Sequence, residues 1–263
     1  MAALQQFGIL FALGSLGIVL FVITSIPVVQ QQLAALPAAT AVAVPPLWVL
    51  MLLQGLQYAV LLTIAICVGI VCTRSVGLRS HLIDYWVFHR PKFPSFAHEL
   101  KWSLGVGATT TVLILMINHW MEPALPETLR AANQAEPNWL TSLAAMLYGG
   151  ITEEILMRWG LMSLLVWVGW KLLKQEAALP SQAIYQGAIV LAAVVFGLLH
   201  LPMTATIAPL TFWVILRAIL LNGIAGTAYG WLFWQYSLEA AMIAHASFHA
   251  VVFALNVLLA RFV

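Results

Sequence analysis

Long apolar runs separated by short polar stretches dominate this chain, with no strict alternation that would mark half-buried strands. Runs able to cross a bilayer lie at about 7–29, 47–72, 99–119, 139–170, 182–200, 207–236 and 238–260. They predict an all-α fold, a polytopic transmembrane helix bundle of seven or eight spans. The open number comes from 207–236, long for one span and carrying Asn222 and Gly223 near its middle, where a break into two shorter helices would fit. The 139–170 run is also long; tilt, or an interfacial first turn beginning near Trp139, would absorb the excess. No internal repeat and no linker to a soluble domain is evident. The chain therefore reads as one integral membrane domain, residues 1–263.

Composition agrees with the pattern. Hydrophobic residues make up 63% of the chain and charged residues 8%, against roughly 25% charged in soluble domains. The first run is too long for a signal-peptide core and has no Lys or Arg before it, which predicts a retained span. Cys67 and Cys72 share one apolar run and suggest neither a disulfide framework nor a thiolate metal site. The net charge of +2 and the scattered basic residues leave no footprint for nucleic acid. Arg74, Arg79, Arg90, Lys92 and Lys101 gather in and beside the 73–98 loop, with Lys171 and Lys174 on the same predicted side, whereas 120–138 holds three glutamates and Arg130. Positive residues mark the cytoplasmic side, so the N-terminus is expected to be cytoplasmic. The segment SHLIDYWVFHRP mixes apolar and basic residues and reads as a loop or an interfacial helix.

The chemistry lies inside the spans. Glu153, Glu154 and Arg158 interrupt the run AMLYGGITEEILMRWGLMSLLVWVGW. An isolated charge at that depth costs about 2.5–3.5 kcal/mol on insertion scales, so such residues are usually functional. On an α-helix Glu154 and Arg158 share a face and can pair, while Glu153 points about 100 degrees away and is the better candidate for chemistry. Three histidines also fall in spans: His200 ends VLAAVVFGLLH, and His245 and His249 present both rings on one face of AAMIAHASFHAVVFAL. His81, His89, His98 and His119 are expected to be interfacial or solvated. Two chemistries fit. Glu153 and His200 can activate a water for attack on a peptide carbonyl while His245 and His249 donate to the oxyanion. Alternatively Glu153, His200, His245 and His249 ligate Zn²⁺, although no His-Glu-x-x-His helix is present. A proton-coupled transporter is the non-enzymatic alternative, but the inverted repeats it would predict are absent.

At these residues the chain resembles the CPBP family of intramembrane proteases, which contains the CAAX prenyl endopeptidase Rce1 and bacterial abortive-infection relatives. The family's Glu-Glu-x-x-x-Arg motif stands here as Glu153, Glu154 and Arg158, its Phe-x-x-x-His motif as Phe196 and His200, and its last-helix His-x-x-x-Asn as His245 with His249 in the asparagine position. Gly226 to Gly230 resembles the family's glycine-bearing helix before the final histidine, and close helix packing is its expected use. The likeness covers about 140–250; residues 1–138 carry no family mark, and 139–263 form the expected catalytic core. It implies a metal-free glutamic peptidase: Glu153 as general base, His200 sharing the water, His245 as oxyanion donor, and Glu154, Arg158 and Phe196 organising the site. It also implies a membrane-associated peptide or protein substrate, lipidated or cut near its C-terminus, and a multi-pass protein of a bacterial inner membrane.

Overall fold

The computed structural model describes residues 1–36, 44–90, 96–133, 138–173 and 177–259. Lys92, Glu136 and Lys174, used in the charge reading above, lie outside them. Every regular element among the described residues is helical: α1 (Ala2–Ala34), α2 (Leu47–Cys72), α3 (His81–Trp86), α4 (Phe96–Met121), α5 (Glu127–Asn133), α6 (Trp139–Leu147), α7 (Ser163–Leu172), α8 (Gln182–Leu199), α9 (Leu201–Ala205), α10 (Phe212–Gln235) and α11 (Leu238–Leu259), with short 3₁₀ turns at Thr73–Val76 and Glu122–Ala124. Among the described residues seven helical segments are long and apolar enough to cross a membrane. The Asn222 region settles the count: α10 runs unbroken through it, because Asn222 Nδ2 donates to the Ala218 carbonyl at 2.8 Å within its own helix.

Apolar and polar positions are distributed as a lipid solvent demands. Leu56, Val112, Met116, Trp120 and Leu199 face outward, while Glu154, Arg158, Thr152, Ser163 and His245 are buried. The span Trp139–Leu172 is the hub, with 44% of its most apolar 18-residue window buried against 22–33% in the other six. It packs against α1, α2, α8 and α11, while α4 closes on α11 and α10 on α8. Its winding departs from expectation. Tyr148–Glu153 and Ile155–Met162 form π-helix, so the α-helical geometry assumed for Glu153, Glu154 and Arg158 does not hold there. A wider coil advances less per residue, which takes up part of the excess length first assigned to tilt or an interfacial turn.

Small residues let these helices touch. A Cβ on Gly17 of α1 would stand 2.7 Å from the Leu147 carbonyl oxygen, and one on Gly69 of α2 would stand 2.6 Å from that of Trp159. Thr152 Oγ1 donates to the Gly14 carbonyl at 2.8 Å across the same α1 contact. The Gly226 and Gly230 pair behaves as its resemblance implied, facing Ala193 and Ile189 of α8.

The predicted cytoplasmic end is tied more tightly than a loop. Glu239 of α11 accepts from Ser80 Oγ at 2.6 Å and from the backbone N–H groups of His81 and Leu82 at 2.9 and 3.0 Å. His81 corrects the solvated assignment: it is 6% exposed and bonded to Glu99 at 2.8 Å, and Ser237 also donates to Glu99. The loop after α2 and the α10–α11 turn therefore share one end of the bundle, as seven spans require.

Gly17→Ala or Gly69→Ala is expected to destabilise the protein by about 1–3 kcal/mol through overpacking. Gly8→Ala and Gly105→Ala, where a Cβ meets nothing within 4 Å, are expected to be neutral or slightly stabilising. Thermal unfolding of the four variants in detergent checks the contrast.

Candidate active site

The site is assembled by the π-helical segment, the end of α8, and the middle of α10 and α11. Gly149 and Gly150 remove two side chains from the face turned toward α11. A Cβ on Gly150 would stand 2.7 Å from that of Ala246, so the backbones of the two helices lie close together. At the adjacent position, a Cβ on Gly149 would meet His249 Nε2 at 2.7 Å and His245 Nε2 at 3.1 Å. The two imidazoles therefore bring their Nε2 atoms to the same glycine surface, with ring centroids 5.1 Å apart and planes 24° from parallel.

Glu154 is the centre of the charge arrangement. Its side chain is fully buried, and its two oxygens serve two partners: Oε1 accepts from His245 Nδ1 at 2.8 Å, and Oε2 lies 3.0 Å from Arg158 Nε. The Arg158 contact is Coulombic rather than a directed hydrogen bond, since neither Oε2 nor Nε has hydrogen-bond geometry despite that distance. The π winding accounts for this, because four residues no longer place the two side chains one above the other. The Arg158 guanidinium carbon lies 5.6 Å from the centroid of the Phe196 ring. Its terminal nitrogens have no hydrogen-bond partner among the described residues, and neither does the Tyr229 hydroxyl.

Hydrogen bonding sets the tautomers. His200 Nδ1 lies 2.8 Å from the Phe196 carbonyl, which can only accept, so Nδ1 carries the proton and neutral His200 keeps a lone pair on Nε2. His245 Nδ1 likewise donates to Glu154, leaving Nε2 a lone pair when neutral and a proton when charged. Phe196 packs edge-on against both His200 and His245, at 4.6 and 6.2 Å between centroids.

Of the residues singled out from sequence, Glu154, Arg158, Phe196, His200, His245 and His249 form one contiguous group. Glu153 stands apart from it. It is half-buried, makes no hydrogen bond or ion pair among the described residues, and lies within electrostatic reach of the Tyr58 and Tyr148 phenols. Those rings pack edge to face at 5.7 Å, and Tyr148 also stacks on Phe21 at 4.4 Å. Sequence reasoning missed three contributors. Tyr229 stacks on His245 at 4.8 Å, Tyr148 stands beside Glu153, and Gly149 opens the surface facing the imidazoles. The available signals were a tyrosine flanked by small residues in GTAYG and a tyrosine with paired glycines just ahead of the glutamates.

The zinc alternative lacks a ligand set in this geometry. Among the described residues no three His, Cys, Asp or Glu side chains are positioned to hold one ion, and Glu154 has both oxygens engaged.

A carboxylate, an arginine and three histidines enclosed by membrane-length helices define an integral membrane protein with an enzyme-like polar interior. Residues 135–251, which contain every element of the site except Tyr58 and Phe21, match the family described as type II CAAX prenyl endopeptidase Rce1-like. That match marks 135–251 as an Rce1-like domain of the CPBP family, a likeness that supports, at family level, an intramembrane CAAX-type protease. No curated protein and no solved structure matches the chain.

Glu154→Gln is expected to destabilise the fold by about 3–5 kcal/mol, because Arg158 would stay buried without its counter-charge. The double variant Glu154→Gln with Arg158→Met is expected to recover much of that loss. Unfolding of wild type, both single variants and the double variant gives the coupling directly.

Proposed function

We propose that the chain is an intramembrane endopeptidase that hydrolyses a peptide bond of a membrane-associated peptide or protein with a glutamate-activated water. One observation carries this reading: the two glutamates are unequal. Both oxygens of Glu154 are held, by Arg158 and His245, whereas Glu153 has neither a hydrogen bond nor an ion pair among the described residues. Glu153 is the carboxylate left without a partner to compete for a proton taken from water.

In this mechanism the Nε2 lone pair of His200 holds a water and Glu153 removes its proton. The resulting hydroxide adds to the carbonyl carbon. Nε2 of His245, carrying a proton as imidazolium and balanced by Glu154, donates to the tetrahedral oxyanion together with His249. Collapse breaks the C–N bond, and the proton held by Glu153 passes to the departing amine, giving a carboxylate and an amine. Glu153 meets the water only with substrate bound, as catalytic contacts often close in the complex. The likeness to CAAX prenyl endopeptidases supports a lipidated substrate cut near its C-terminus, and the likeness to bacterial relatives supports a bacterial inner membrane as its setting.

The test uses the full chain in membranes with peptides ending in a CAAX sequence, farnesylated or unmodified. Glu153→Gln and His200→Ala are each expected to reduce cleavage by about 10²–10⁴-fold without lowering the melting temperature. Cleavage within tenfold of wild type in either variant would sink the mechanism, and absence of proteolysis by the wild type on every peptide would favour a transporter. His249→Asn is expected to keep cleavage within about tenfold, since an amide N–H also donates, and a chelator is expected to have no effect. Loss of activity in that variant, or chelator inhibition reversed by Zn²⁺, would move the assignment to metal chemistry.

A further inference from the structure

At the basic end of the bundle, away from His200, His245 and His249, a cavity of about 170 Å³ is lined by Gln6, Arg74, Arg79, Asp84, Arg90 and Trp159 among others. Three guanidinium groups face one carboxylate, so its walls carry a net positive charge. Each arginine keeps donors free for a ligand. The Arg74 guanidinium carbon lies over the Phe88 ring, 3.5 Å from the centroid, and its N–H groups make no hydrogen bond or ion pair among the described residues. Arg79 uses Nε on the Tyr236 carbonyl at 2.9 Å, leaving its two terminal nitrogens. Arg90 is held only loosely by Asp84, at 3.8 Å, and its side chain is 67% exposed.

The inner wall differs from an ordinary basic surface. Gln6 and Trp159 are 4% and 2% exposed, and Gln6 Oε1 and Trp159 Nε1 have no hydrogen-bond partner among the described residues. The volume equals roughly that of five waters in the liquid, enough for a phosphate group with some hydration and too small for an acyl chain. The first turns of α1, which supply Gln6, also carry Leu4, 76% exposed, so lipid-facing surface adjoins the cavity.

We propose that this cavity binds the phosphate of an anionic membrane lipid, held by the N–H groups of Arg74, Arg79 and Arg90, with the acyl chains remaining in the bilayer. Arginine forks match phosphate oxygens in pairs, and basic pockets between spans on the cytoplasmic side suit anionic headgroups. Trp159 follows Arg158 in the chain, so the lipid site abuts the segment that holds Glu154. Proteolytic activity is not needed for this inference, and its test is a binding measurement.

The full chain, delipidated in an uncharged detergent, is titrated with phosphatidylglycerol, phosphatidylcholine or inorganic phosphate, following melting temperature and lipid retained by native mass spectrometry. Phosphatidylglycerol is expected to stabilise and stay bound, and the other two are not. Arg74→Gln is expected to weaken that binding several-fold, and Arg74→Gln with Arg79→Gln on the order of tenfold or more. Because Arg79 also braces Tyr236, the Arg74 variant tests the site without disturbing that contact. Equal stabilisation by phosphatidylcholine, or unchanged phosphatidylglycerol binding in Arg74→Gln and the double variant, would overturn the proposal. Stabilisation by inorganic phosphate as strong as that by phosphatidylglycerol would overturn the lipid assignment in favour of a soluble phosphate ligand.

Discussion

The rest of the site depends on one buried carboxylate that serves two cationic or potentially cationic partners. Removing Glu154 and Arg158 from water carries a desolvation penalty that their attraction alone does not guarantee to offset. Bringing His245 onto the second oxygen spreads the negative charge over two contacts and turns a liability into a device. The same bond orients the imidazole. Glu154 thereby connects the hub span to α11 and determines which atom of His245 is presented to the interior.

That arrangement is possible only because backbone approaches backbone. Paired glycines in the π-helical segment allow α11 to come in at Ala246 and bring two imidazoles to one glycine surface. On the opposite side, Gly17 and Gly69 let α1 and α2 close on the same span. In a bilayer, apolar side chains gain little by leaving lipid for protein, so close packing and interhelical hydrogen bonds such as Thr152 to Gly14 carry more of the association. The N-terminal spans carry no family motif, yet they form part of the wall around Glu153 through Phe21 and Tyr58.

The two ends of the polar interior are organised differently. At the predicted cytoplasmic end, Glu239 caps the segment starting at Ser80, and Glu99 gathers His81 and Ser237, so four elements are fastened by two carboxylates. Towards the middle, polar groups are left open: Arg158 has free terminal nitrogens and Tyr229 a free hydroxyl among the described residues. Fully paired groups brace a structure, and that is the role of the two carboxylates at the predicted cytoplasmic end.

Much of this was legible in sequence because a bilayer constrains sequence severely. Span length follows from hydrocarbon thickness, so six spans were placed to within a few residues and only the polar Asn222 region left a choice. Charged residues inside those spans are costly enough to be informative wherever they occur, which is why Glu154, Arg158, His200, His245 and His249 could be named beforehand. Partnership was not legible. Four-residue spacing suggested Arg158 for Glu154 but carried no hint of His245, which lies 91 positions away and arrives only through the packing of α11. Nor did it show that the segment winds as π-helix, or that His81 is buried against Glu99. By itself the sequence determined the medium, the number of crossings within one, and which charged and imidazole side chains lie inside the spans, because burial costs for charge and apolar length are properties of single segments. Which nitrogen faces which oxygen, and which glutamate remains free, was decided by tertiary structure, since those depend on distances between helices that no local pattern encodes.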